Sequence, residues 1–397
     1  MKTDERPEAA AIDERARIRR GVLHCLWVFL GARVGLSIVA VAALALIQPL
    51  DPPVDSGWAL QPLTPGWHNW VTAWERFDAL WFLRIGTEGY TVGDGSAVFF
   101  PLFPLLIRGF SPVLGGHPLA AAIVVGNLAY LGGLIATYFL TEGEWGEAAA
   151  RRAVLYLAVF PAAFFLLAPY SEPVFLLLAV TSLWAARRSR WAVAGLCGAL
   201  AAATRNLGLV LVLPLVFEAW HQRRERGAPV LGPLLWSAAV GLGTLAYLLF
   251  WQVKAGDPLA PVTFQTQWQR ELTFPLETLR AATEQAFSWF GQFPGGYHFL
   301  DWLVVVPILG AGVWVALRAR PMFSIYVWAT LLVPLSYPFP PRPLLSVPRF
   351  LLPLIPLFWA LAVWSGKRRG VHEAVLVVSG VLLGVMTALF VTWHHVF

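Results

Sequence analysis

Charge is scarce in this chain. Asp, Glu, Lys and Arg make up 13% of its 397 residues, against about 25% in an ordinary soluble domain. With 58% hydrophobic residues and a mean hydropathy of +0.63, that scarcity excludes a water-soluble globule and leaves an integral membrane protein. Cysteine is nearly absent. Cys25 and Cys197 both lie in apolar runs and read as small buried hydrophobes, not as a disulfide or a metal pair. There is no Walker loop, no strand-borne GxGxxG, no HExxH and no CxxC, so the usual nucleotide and zinc signatures are missing. The eight histidines are scattered, and the pair His394 and His395 reads as an exposed end. No cofactor is predicted. The first polar loop holds no Asp-x-Asp, which weakens a metal-dependent reading, although a divalent metal is left open.

Long apolar runs are what the chain has in quantity. Stretches such as 22–47 and 371–391 are unbroken, and backbone groups in lipid must be satisfied within the segment, so these are helices. Barrel strands would alternate in hydrophobicity. Further runs lie near 98–114, 118–140, 153–168, 173–186, 191–203, 207–219, 232–253, 299–317, 321–336 and 350–365. Several fall short of the roughly 20 residues a spanning helix needs. The expectation is an all-α polytopic membrane protein with about nine to twelve membrane segments, the short ones broken or re-entrant around a polar cavity. No linker or repeat divides it, so residues 1–397 read as one domain. The first run is too long for the core of a cleavable signal and reads as a retained anchor.

The net charge of +6 does not suggest nucleic acid, because the basic residues cluster at the ends of apolar runs. Residues 1–20 form a polar tail ending in Arg15, Arg17, Arg19 and Arg20, which predicts a cytoplasmic N-terminus. Clusters at 187–190, 221–226, 318–320 and 367–369 read the same way. Two larger polar loops, 49–97 and 254–298, then fall on the outer side. The first carries Asp51, Asp55, Glu75, Asp78, Glu88 and Asp94, with Trp58, Trp67, Trp70, Trp74 and Trp81. Its stretch 70–85 is amphipathic and predicts a helix lying along the interface. The second predicts helices over a cavity. One conflict remains: if 98–114 and 118–140 both cross, Arg151 and Arg152 end up outside.

Polar groups set among apolar neighbours carry the candidate chemistry. Asp78, beside Arg76 and followed by Glu88 and Tyr90, either takes a proton from an attacking hydroxyl as general base or pairs with Arg76 or Arg84. Glu172, after Tyr170, either holds an acceptor hydroxyl or orients an arginine, or else, with Ser171, only caps the helix that Pro173 opens. Arg205, followed by Asn206, stands mid-way along an apolar stretch. An arginine there is expensive and usually functional, and its planar fork matches phosphate oxygens. The alternative is a structural pair with Glu172 or Asp78. Arg349 either neutralises a second phosphate charge or snorkels at a helix end.

These residues sit in motifs. RFDALWFLRIGTEGY followed by AVFFPLFPLL, then FPAAFFLLAPYSEPVFLLL at 160–178, AAATRNLGLVL at 201–211 and PRFLLPLIPLF at 348–358 together resemble the GPI mannosyltransferase II (PIG-V) family, in order and over most of 76–358. Phe77 departs from the family's usual tryptophan before the aspartate. The short chain with its arginine-rich tail looks like a prokaryotic member. The resemblance implies a GT-C glycosyltransferase fold in the cell membrane with its site on the outer face. It also implies a polyprenyl-phosphate sugar donor, usually mannose, a lipid or glycan acceptor, and inversion at the anomeric carbon with Asp78 as base. The substrate-binding candidates are Arg76, Glu88, Tyr90, Tyr170, Glu172, Arg205, Asn206 and Arg349. A polytopic transporter or flippase is the rival reading, since broken helices with intramembrane charges suit it as well.

Overall fold

A computed structural model describes residues 5–50, 69–265, 270–292, 295–394 and 396. Asp51, Asp55, Trp58 and Trp67 of the first loop, and His395, lie outside the described residues. Helices dominate, and no strand occurs among the described residues. In chain order the principal helices are α1 Glu5–Leu46, α2 Asp78–Glu88, α3 Leu102–Phe110, α4 Pro118–Trp145, α5 Glu147–Ala158, α6 Glu172–Arg187 and α7 Trp191–Thr204. They continue with α8 Val212–Arg226, α9 Leu231–Ala255, α10 Pro275–Ser288, α11 Gly296–Arg318, α12 Pro321–Ser336, α13 Ile355–Ser365 and α14 Arg369–Val391. Proline within the first turn opens α4, α6, α10, α12 and α13, where its missing N–H costs nothing. Gly227 and Gly256 close α8 and α9 with φ of 63° and 70°, the left-handed cap that glycine adopts without strain.

Among the described residues five helices are long and apolar enough to span a membrane: Asp13–Leu46, Pro118–Trp145, Leu231–Ala255, Gly296–Arg318 and Arg369–Val391. Four apolar segments, Leu102–Leu114, Trp191–Thr204, Pro321–Ser336 and Ile355–Ser365, are shorter. The N-terminal segment is not a separate tail, because α1 runs from Glu5 without a break into the first span.

Polar contacts sort the helix ends into two groups. At one end Arg17 pairs with Glu142 at 3.8 Å, and Arg187 reaches Glu144 at 2.8 Å and Glu218 at 2.6 Å. Arg320 also reaches Glu144, at 3.0 Å. His24 meets the carbonyl of Arg151 at 3.1 Å, and Arg152 donates to that of Ala362. This is a basic belt. At the other end Arg76 donates to Val391 at 2.8 Å, Thr278 to Leu335 at 2.7 Å, and Arg342 grips Asp301 through two bonds of 2.6 and 2.8 Å. These contacts bear on the conflict over 98–152. The segment Leu102–Leu114 spans about 20 Å at 1.5 Å per residue, short of a hydrocarbon core of about 30 Å. α4 runs to the basic belt, which Arg151 and Arg152 join.

The amphipathic reading of 70–85 is corrected. That stretch is a short helix, Asn69–Thr72, then a break, then α2. Trp74, Trp81 and Phe82 are buried in the core instead of lying along an interface.

Candidate active site

The break before α2 is a tight turn over residues 76–79, closed by Ala79 N–H donating to Arg76 O at 3.1 Å. Phe77 has φ 51° and ψ −123°, the first central position of a type II′ turn, which glycine normally fills. A bulky residue there costs on the order of 1–3 kcal/mol. Contacts on both sides hold it: Phe77 packs against Phe390 and Trp393 at ring distances of 5.7 and 5.1 Å. The turn delivers Asp78 as the first residue of α2. Glu172 is likewise the first residue of α6, and helix N-termini favour carboxylates. Arg205 follows the last residue of α7, where a cation is favoured.

These ends converge. Arg349 Nη1 donates to Asp78 Oδ2 at 2.5 Å, Arg205 is ion-paired with Glu172, and Arg349 Nε lies 3.8 Å from Glu172 Oε1. The Phe350 ring stands beneath both guanidiniums, 4.9 Å from Arg205 and 5.4 Å from Arg349, a cation–π arrangement that keeps the two like charges in place. Glu172, Arg205, Arg349 and Phe350 line a narrow cleft. Asp78 is 26% exposed and Glu172 only 3%, so Asp78 is the carboxylate that an incoming group can reach. Burial alone would lower the Arg349 pKa, but Asp78 and Glu172 outweigh it and hold it above the ordinary value. Its buried Nε donates to no oxygen, and such an unmet donor costs about 1–3 kcal/mol.

Asp78, Glu172, Arg205 and Arg349 are thus brought together, and the other candidates are placed elsewhere. Arg76 is turned to the backbone: its Nε donates to the carbonyl of Val391 at 2.8 Å and its Nη1 to those of Thr72 and Glu75 at 3.0 and 2.8 Å, while its Nη2 is buried with no partner among the described residues. Tyr170 is buried and donates to Arg76 O at 3.1 Å, steadying the same turn from behind. Glu88 is exposed at the far end of α2, ten residues and about 15 Å along the helix from Asp78. Tyr90 donates to Phe99 O and packs with Tyr247, Phe250 and Trp251. Asn206 is exposed and accepts from the backbone of Leu207. Among the described residues no three His, Cys, Asp or Glu side chains are grouped to hold a metal.

The profile of a family described as mannosyltransferase (PIG-V) matches residues 63–225, which include the turn, Asp78, Glu172 and Arg205. Over those residues the chain is similar to the PIG-V mannosyltransferases, and it is a membrane glycosyltransferase in fold, of the GT-C type. Two solved structures carry the fold assignment. ArnT from Cupriavidus metallidurans bound to undecaprenyl phosphate is 14% identical with a TM-score of 0.51, covering 93% of this chain and 76% of that one. ArnT in the apo state is 17% identical with a TM-score of 0.52, covering 92% and 76%. A search of curated protein sequences gives no match.

Two supports of this site escaped the sequence analysis. Arg33, inside α1, donates to Leu167 O at 3.0 Å and stands over Trp74 at 5.3 Å. It ties the segment before Glu172 to the segment before Asp78, and a lone arginine inside an apolar run was the available signal. Asp301, a single carboxylate in the apolar α11, is fully buried and clamps Arg342. That clamp fixes the loop leading to Arg349.

Proposed function

We propose that this chain moves a sugar, mannose by its family, from a polyprenyl-phosphate donor to a hydroxyl of a lipid or glycan acceptor, with inversion. The observation that carries the reading is the ion-paired cluster of Asp78, Glu172, Arg205 and Arg349, the last three of which line a cleft beside Asp78. Its only partly exposed carboxylate faces guanidiniums that still have donors to spare. Asp78 accepts the proton as the acceptor oxygen attacks the sugar C1. Arg349 and Arg205 receive the phosphate that leaves from the opposite side, and fixed donors aimed at developing charge are the main lever available to a site of this kind. The whole of 1–397 works as one domain in the cell membrane. Its basic belt lies in the cytoplasm and the crevice opens on the outer face.

The test uses the full chain in lipid nanodiscs with radiolabelled polyprenyl-phosphate mannose and a crude lipid acceptor. The wild type transfers label. Asp78→Asn lowers the rate at least a hundredfold, within the range typical of a lost general base, with an unchanged melting temperature. Wild-type turnover by that variant refutes the assignment of the base.

A further inference from the structure

The cluster around the crevice is electrically closed. Two carboxylates, Asp78 and Glu172, face two guanidiniums, Arg349 and Arg205. A glycosyl phosphodiester brings one negative charge. A second develops on the phosphate as the C1–O bond breaks and the electron pair stays with the phosphate oxygen. Proton transfer to Asp78 frees the charge of Arg349 to meet that second one, but the balanced quartet has no surplus to meet the charge the donor brings in.

Such a cation is present in the second polar loop. Arg270 is half-buried, and among the described residues it pairs with no carboxylate. Its Nη1 donates to Tyr337 O at 3.0 Å. Thr273 N–H donates to Ser336 O at 2.9 Å, and Thr278 and Gln285 of α10 bond to Leu335 O and Pro340 O. The segment that bears Arg270 is therefore fastened along the start of the loop that ends in Arg349. Arg349 and Asp78 both act electrostatically on Arg270: burial first and then Arg349 push its pKa down to about 10, while Asp78 opposes them. An arginine destabilised by its like-charged neighbour gains most from an anion placed between the two.

We propose that Arg270 is the cation that receives the donor's phosphate, completing with Arg205 and Arg349 a site one positive charge in excess. The proposal rests on the reading above and adds a residue to it. In the step, the acceptor O–H gives its proton to Asp78, the oxygen forms its bond to C1, and the C1–O bond to phosphate breaks. Arg270 meets the charge the donor phosphate brings, while Arg349, released as Asp78 takes the proton, meets the charge gained on leaving. Its surplus charge is the part of the site that draws the anion in.

The experiment measures binding of a polyprenyl phosphate and of the uncharged polyprenol to the full chain in nanodiscs. The wild type prefers the phosphate. Arg270→Gln weakens phosphate binding tenfold or more, leaves polyprenol binding unchanged, and raises the donor KM without moving the acceptor KM. Arg270→Lys, which keeps the charge, loses less. Phosphate binding by Arg270→Gln within twofold of wild type overturns the proposal. So does an equal loss for both lipids with a lowered melting temperature, which marks Arg270 as a peg on Tyr337 only. A wild type that does not distinguish phosphate from polyprenol fails the donor reading itself, and inorganic phosphate bound as tightly as the lipid points to a soluble donor instead.

Discussion

Asp78 owes its position to its neighbours' backbone more than to its own side chain. The residue before it holds a conformation that suits glycine, and Arg76 is consumed in anchoring it. Ser346, with φ 69°, stands just ahead of the short helix that carries Arg349, so both partners of the ion pair leave from left-handed, non-glycine residues. Strain of this kind persists only where packing over-determines it. Glu75, in the same loop, makes no ion pair among the described residues, and burial raises its pKa above 4.5 against the pull of Arg76. A carboxyl group with a raised folded-state pKa holds its proton more tightly when folded, so it costs stability as pH climbs past 4.5. Glu75→Gln is therefore expected to raise the melting temperature at pH 7.5, with the gain vanishing near pH 4. A melt series across that range checks it, and a loss of stability at neutral pH counts against the burial argument.

At the scale of elements, the junction between α7 and α8 deserves the closest test. After Arg205 the chain folds back on α7 so tightly that a Cβ on Gly208 would lie 2.3 Å from backbone atoms of Ala201 and Ala202. Backbone cannot yield as a flexible side chain can, and overpacking of this sort costs about 1–3 kcal/mol. Gly208→Ala is expected to lower the melting temperature in detergent by several degrees and to weaken donor binding, because the fold-back sets where Arg205 emerges. Unchanged donor binding would separate the junction from the site. The apolar runs were readable as helices because lipid leaves the backbone few alternatives. The turn at Phe77 was not, since a positive φ on a phenylalanine has no sequence signature. For that reason 70–85 looked like one amphipathic helix. The cluster itself was readable in Asp78, Glu172, Arg205 and Arg349, which are lone charges in apolar settings. Arg270 was not, because it sits in a polar loop where charge is ordinary, and only tertiary packing half-buries it.

For the whole molecule, the separation of a basic belt from the crevice gives a two-sided body, and the sidedness can be measured in cells. With Cys197 replaced by serine and Cys25 buried, a cysteine at Glu284, exposed on α10, is expected to react with an impermeant maleimide on intact cells. One at Arg223, exposed at the end of α8, is expected to react only after permeabilisation. Labelling in the reverse order would invert the assigned orientation.

The last helix reaches the chemistry without entering it. Val391 accepts a bond from Arg76, Leu50 donates to Thr392, and Trp393 supports both Phe77 and the Arg76 guanidinium. Removing Trp393, or grafting a rigid fusion onto it, would tilt Asp78 while leaving every wall of the hollow intact. For purification, an affinity handle is better carried at the opposite, arginine-rich pole.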